Sequence, residues 1–122
     1  MSHPTAWRRA VYRVVYPESA RPTLVLPEGE FPVIDCSELG LRLALTAGAP
    51  ALPYAAGDVI RGELRFRRGV ARPISGEVVR VQDRTLAIWF RGDGVPFGEI
   101  EAEKRYLDRE SGPGNTEFPA LP

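Results

Sequence analysis

The strongest constraint on this chain is a change of period along it. Short runs in which apolar and polar residues alternate one by one give way, near residue 97, to a helical repeat. Leu41, Leu43 and Leu45 alternate with Arg42, Ala44 and Thr46, the period-2 pattern of a strand with one buried face. Val59 to Arg68 repeats it, with Ile60, Leu64 and Phe66 on one side and Arg61, Glu63, Arg65 and Arg67 on the other. Leu86, Ile88 and Phe90 alternate with Ala87 and Trp89 and follow the valine-rich run Glu77–Gln82 across Asp83-Arg84, the spacing of an antiparallel hairpin. Val11–Tyr16, Thr23–Leu26 and Phe31–Cys36 are further strand candidates. Pro17, the cluster Pro27-Glu28-Gly29-Glu30 and the run Ser37-Glu38-Leu39-Gly40 read as the breaks between them. The segment Thr46–Gly57, rich in Ala, Gly and Pro, reads as a loop.

From Phe97 onward the apolar residues Phe97, Ile100 and Leu107 recur at helical spacing, with Tyr106 beside them. Glu99, Glu101 and Glu103 come early, and Lys104, Arg105 and Arg109 late, an order that complements the helix macrodipole. The glutamates read as a solvated helix start, and Glu101 and Arg105 stand four residues apart as a favourable pair. The helix is expected to end near Arg109–Ser111, before Gly112-Pro113-Gly114. This predicts three parts: a flexible arm over residues 1–10, a barrel domain over 11–110 and a loose tail over 111–122. Regularly spaced short antiparallel strands closed by one helix suit a small barrel or sandwich, and a barrel hides its sheet edges.

At 122 residues one hydrophobic core is the natural outcome. The 16 basic and 16 acidic residues cancel, which argues against general nucleic-acid binding, where many phosphates must be neutralised. Of the basic residues only Lys104 is a lysine. The arginines offer a flat fork that grips phosphate bidentately and stacks on rings. A single cysteine, Cys36, makes no internal disulfide. No apolar run resembles a signal peptide or approaches the roughly 20 residues that span a bilayer. A cytoplasmic chain without membrane insertion is therefore expected.

Little in the chain supports catalysis, and no enzyme is expected. The sole histidine, His3, lies in the arm, and Cys36 has no histidine partner in the folded part. One Cys and one His do not build a zinc site. Neither a phosphate loop nor a dinucleotide-binding glycine run is present. No metal or cofactor is expected.

Two short segments carry the remaining chemistry. Arg9 and Arg13 stand four residues apart where the chain enters a strand, and Arg8 adjoins Arg9. Both guanidinium groups could converge on one anion, or stand solvated on a basic arm. In Asp35-Cys36-Ser37-Glu38-Leu39-Gly40, Asp and Ser side chains can fix a turn through backbone amides. Asp35 can also accept from the N1–H and amino group of a guanine. Gly40 can adopt a conformation closed to other residues or let a ligand approach. Each segment alone reads as readily as ordinary arm or turn structure.

Together and in this order they resemble the PilZ family, whose hallmark is Arg-x-x-x-Arg followed a few dozen residues later by Asp/Asn-x-Ser-x-x-Gly. Both are intact here, as Arg9 to Arg13 and as Asp35, Ser37 and Gly40. Leu39-Gly40-Leu41-Arg42-Leu43 is similar to the family's continuation into the next strand. The resemblance spans roughly Arg8 to Leu107. It implies a six-stranded antiparallel barrel with a flanking C-terminal helix and binding of cyclic di-GMP. Arg8, Arg9 and Arg13 would then hold phosphates and the guanine Hoogsteen edge. Asp35 and Ser37 would bond the guanine or orient the arginines, and Gly40 would leave room for the ligand. With no output domain in the sequence, an arm ordered by ligand would signal to a separate protein. The competing expectation is a small barrel that recruits a protein partner without nucleotide binding. A single-strand-binding barrel, for which Trp7, Tyr12 and Tyr16 near the arginines would supply stacking, is disfavoured by the neutral charge.

Overall fold

The computed structural model describes residues 12–45, 52–92 and 94–120, with side chains described as far as Glu110. Among the described residues seven strands precede one α-helix: β1 Arg13–Val15, β2 Thr23–Leu26, β3 Gly29–Ser37, β4 Gly40–Ala44, β5 Val59–Arg65, β6 Ala71–Gln82 and β7 Thr85–Phe90, then α1, Phe97–Ala120. All strand pairs are antiparallel. The neighbours run β3, β2, β5, β6, β7, β4, and the β3–β4 pairing closes the ring.

Seven segments make a six-stranded barrel because β1 and β2 share one flank of β3. Thr23–Leu26 pairs with Pro32 back to Gly29. Arg13–Val15 pairs with Ser37 back to Asp35. Between them the chain steps aside through a 3-10 turn at Glu18–Ala20. Hydrogen bonds from Tyr16 N to Ile34 O and from Val33 N to Pro22 O, 3.0 and 2.9 Å, stitch the gap. The other flank of β3's second half carries β4.

The interior is filled by one residue in two from each strand, as the alternation requires. Leu24, Val33, Leu41, Leu43, Ile60, Leu64, Phe66, Ile74, Val78, Leu86 and Ile88 are all buried, with Val95 and Ile100 closing one end. Fully burying such a side chain contributes roughly 1.5–3 kcal/mol. The hairpin over Asp83-Arg84 forms as expected. Both residues have positive φ, 49° and 64°, the two-residue geometry whose twist matches paired strands.

The largest differences from the sequence reading lie in β6, at the β3–β4 turn and in α1. β6 begins at Ala71, six residues before the expected start. Pro73 and Gly76 hid this half. Pro73 is tolerated because β6 pairs there with β5 alone, β7 joining only from Gly76. Ser37 extends β3 one residue past the expected Cys36 and Gly40 opens β4, so that the turn shrinks to Glu38-Leu39. α1 continues through Gly112-Pro113-Gly114 to Ala120, past the stop expected at Arg109–Ser111 and through the segment read as a loose tail. Its first turns are anchored to the barrel through Ile100 and Glu103. Phe97, placed on the apolar face by its spacing, is 43 % exposed and meets Tyr12 edge-on, with ring centroids 6.4 Å apart. No helix among the described residues is long and apolar enough to cross a membrane.

Glu103 is the largest departure from the pattern. It is 1 % exposed, not solvated. Its Oε1 accepts the Tyr16 hydroxyl at 2.6 Å, and its Oε2 is held by Arg68 Nε. Arg68 also binds Glu99 and lies over the Phe66 ring, 5.0 Å from its centroid. Burial and the Glu103 carboxylate push the Tyr16 phenol well above its ordinary value of 10.0. Burial, with Glu103 and Asp35 nearby, pushes the Cys36 thiol above 9.0. Both groups are neutral when protonated, so stability is full below the unfolded values. As pH rises past them the unfolded chain sheds protons that the folded chain keeps. Urea titrations should show unfolding free energy falling by about 1.4 kcal/mol per pH unit for each group above roughly pH 9–10. Tyr16→Phe should make that fall shallower. An alkaline limb unchanged in the variant would contradict the assignment.

Candidate functional site

The outer surface where β1, β3, β4, β6 and β7 meet carries an open depression of about 570 Å3. Its walls include Arg13, Asp35, Ser37 and Gly40, together with Arg42, Arg80, Val79 and Trp89. The two sequence segments meet because β1 lies against the end of β3: Arg13 is the register partner of Ser37, and Val15 that of Asp35. Arg8 and Arg9 lie outside the described residues.

Each residue plays a definite part. Arg13 stands at the start of β1, and its strand neighbour Val14 turns inward, 2 % exposed. Ser37 Oγ accepts the Leu39 N–H at 3.2 Å and faces the Gly40 carbonyl at 3.5 Å, so its hydroxyl fixes the two-residue turn. Asp35 is buried, 4 % exposed. Its Oδ2 accepts from Arg42 Nε at 2.8 Å and lies 2.7 Å from Arg42 Nη2. Of the orienting roles expected for Asp35, the one observed is on Arg42.

Gly40 meets a packing requirement that holds whether or not it leaves room for a ligand. Its φ is not positive, and it lies in β4 opposite Trp89 of β7. A Cβ there would sit 2.2 Å from the Ile88 carbonyl oxygen. The glycine is required by the close approach of two backbones.

Sequence reasoning passed over Arg42, Arg80 and Trp89. Arg42 had been placed on the outer face of its strand by alternation, without a partner. Trp89 is 58 % exposed, a large ring left in water beside a cavity. Arg80 follows a β-bulge between Val78 and Arg80, and such an irregularity re-aims the side chains around it. Among the described residues, the lining holds three guanidinium groups, Arg13, Arg42 and Arg80, and the carboxylate of Asp35. A flat ring, a cationic surface and an open mouth suit a ligand that is both aromatic and anionic. Among the described residues its lining holds no histidine and no thiol.

Comparison with known proteins agrees with this architecture. The chain is similar to the crystal structure of an uncharacterized Legionella protein, with a TM-score of 0.55 and 14 % identity. The match covers 83 % of this chain and 99 % of that one, and at such identity it speaks for the fold alone. No curated protein matches. The model of the PilZ domain matches residues 7–109, taking in both arginine and Asp-Ser-Gly segments and every strand. A closed six-stranded antiparallel barrel, a flanking C-terminal helix and a match over most of its length together place the chain in the PilZ domain family.

Proposed function

We propose that this chain is a cytoplasmic receptor for cyclic di-GMP that binds its ligand without transforming it and passes the signal to a separate protein. One observation carries the reading: the pairing of β1 with β3 sets Arg13 opposite Ser37, in one depression with Asp35 and Gly40. Of the residues by which the sequence resembles its family, Arg13, Asp35, Ser37 and Gly40 share one cationic surface. In this reading Arg13 grips phosphate or a guanine edge, and Arg8 and Arg9 reach the same ligand from the arm. Ligand orders that arm against the barrel, and the new surface meets the downstream partner. Protection of the arm's amides from exchange only in the presence of ligand is the corresponding signature.

The direct test is calorimetric titration of cyclic di-GMP into the wild type and an Arg13→Ala variant. A charge-assisted contact of about 1.5–3 kcal/mol predicts a loss of roughly tenfold to a hundredfold in affinity. Arg13 is at the exposed start of a strand, so the thermal midpoint should hardly move. Absence of binding by the wild type would leave a barrel that recruits a protein partner without nucleotide.

A further inference from the structure

We infer that the face where α1 meets the start of β1 is the docking site for the downstream protein, and that it takes an acidic segment carrying one aromatic or large aliphatic side chain. The inference rests on the receptor reading for the existence of that partner and goes beyond it in placing the surface and naming the partner's chemistry.

β1 separates two surfaces. Val14 and Tyr16 point inward, 2 % and 3 % exposed, and Tyr16 bonds to Glu103 of α1. Arg13 is one residue out of phase with them and lines the depression described above. Tyr12, back in phase, lies against α1 and meets Phe97. A second depression of about 240 Å3 opens there, lined by Tyr12, Phe97, Glu101, Lys104 and Arg105. The spacing of the four helix residues puts them on one stripe of α1. Ile100, Glu103 and Leu107 form the neighbouring stripe, which packs on the barrel.

The floor of this depression is apolar. Tyr12 and Phe97 keep 36 % and 43 % of their surface in water. Two rings held together at the surface with cations beside them have the composition of an interface hot spot. The rim is cationic. Among the described residues neither Lys104 nor Arg105 forms an ion pair, and Glu101 does not close on Arg105 four residues later. Two cations against one carboxylate favour an acidic partner and repel a basic one. The volume selects a single side chain, since small-molecule pockets occupy roughly 300–1,000 Å3. Tyr12 adjoins Arg13, so a ligand that fixes Arg13 also fixes one wall of the docking face.

The test is peptide display on the full chain. A library of short random peptides is selected on the wild type, with and without cyclic di-GMP, and counter-selected on Phe97→Ala/Lys104→Glu. Enriched peptides are then titrated calorimetrically. They should carry an aromatic residue or leucine beside Asp or Glu. Phe97→Ala should weaken them by about tenfold or more, as loss of a central aromatic contact does. Lys104→Glu/Arg105→Glu should weaken them by about fivefold at low salt and less at high salt. Glu101→Gln removes the like charge and should tighten them by about twofold, a gain that a damaged fold does not give. Glu101, Lys104 and Arg105 are exposed, so these variants keep the test valid even if Phe97→Ala loosens the helix start.

Enriched peptides that are basic, that lack an apolar anchor, or that bind all these variants as they bind the wild type would overturn the inference. So would a library that yields no peptide sensitive to these residues. A dimer in sedimentation that Phe97→Ala abolishes would give the face to a second copy of this chain instead. Tighter peptide binding in the presence of cyclic di-GMP would support both readings. A wild type that ignores cyclic di-GMP yet binds the peptides through Phe97 would sink the receptor reading and leave this one standing.

Discussion

Gly40→Ala should unfold the barrel, or lower its stability by more than about 4 kcal/mol, whether or not ligand is present. The new methyl would lie 2.2 Å from the Ile88 carbonyl oxygen and 3.2 Å from the Trp89 Cα, and both obstacles are backbone. A side chain in the way could rotate; a paired strand must move bodily. β4 bonds to β7 along five consecutive register positions from Gly40 to Ala44, and to β3 on its other edge. Relief at Gly40 therefore drags the closing seam of the ring. Overpacking a dense interior by one methylene commonly costs about 1–3 kcal/mol, and this displacement is larger and falls on backbone. Urea denaturation followed by tryptophan fluorescence gives the number. A variant that folds normally and loses only ligand would assign this glycine to making room for the ligand instead. The result matters for interpretation, because a glycine inside a binding signature is easily credited with binding.

The second large effect is at the foot of the helix. Arg68→Ala should lower the unfolding free energy by about 3–5 kcal/mol, the typical result of stripping a buried charge of its partner. Glu103 has a side-chain exposure of 2 % and no solvent to replace the guanidinium. The Tyr16 hydroxyl would remain its one donor. The loss of Arg68 also removes the contact with Phe66 and the bond to Glu99. Removing both charges, as Arg68→Met with Glu103→Gln, should recover most of the loss. An amide at 103 can still accept from Tyr16, and neutral groups carry no desolvation debt of this size. Chemical denaturation of the single and double variants decides the matter. Equal losses in both would mean that packing, not charge, dominates there.

The order of strands and the identity of the core were written in the alternation. Leu41, Leu43, Ile60, Leu64, Leu86 and Ile88 are all buried as their period predicts. What escaped was long-range pairing. Glu103 looked like any solvated glutamate near a helix start, because its partners Arg68 and Tyr16 stand 35 and 87 positions away. Local pattern carries no trace of such a cluster. Pro73 and Gly76 masked half of β6 for a different reason: propensity speaks against both residues, while the absence of a second neighbour at Pro73 makes it harmless. Arg42 was nearer to being legible. A two-residue turn at Glu38-Leu39 puts Arg42 opposite Asp35 by register alone. The four-residue turn Ser37–Gly40 gives that same register, so the partnership was legible and was passed over. The surface that joins Arg13 to Ser37 required knowing that β1 lies along the end of β3, a topological fact that no local spacing encodes.

Cys36 sits between the two residues that frame the depression, fully enclosed and with its thiol held protonated by burial. A thiol reacts as thiolate and only when reached. Under native conditions, then, modification of this one sulfur proceeds only as fast as the wall around β3 parts. The chain carries its own unlabelled clock, one that ticks when the floor beneath Asp35 and Ser37 opens. A ligand resting on that floor would slow it without ever touching the sulfur.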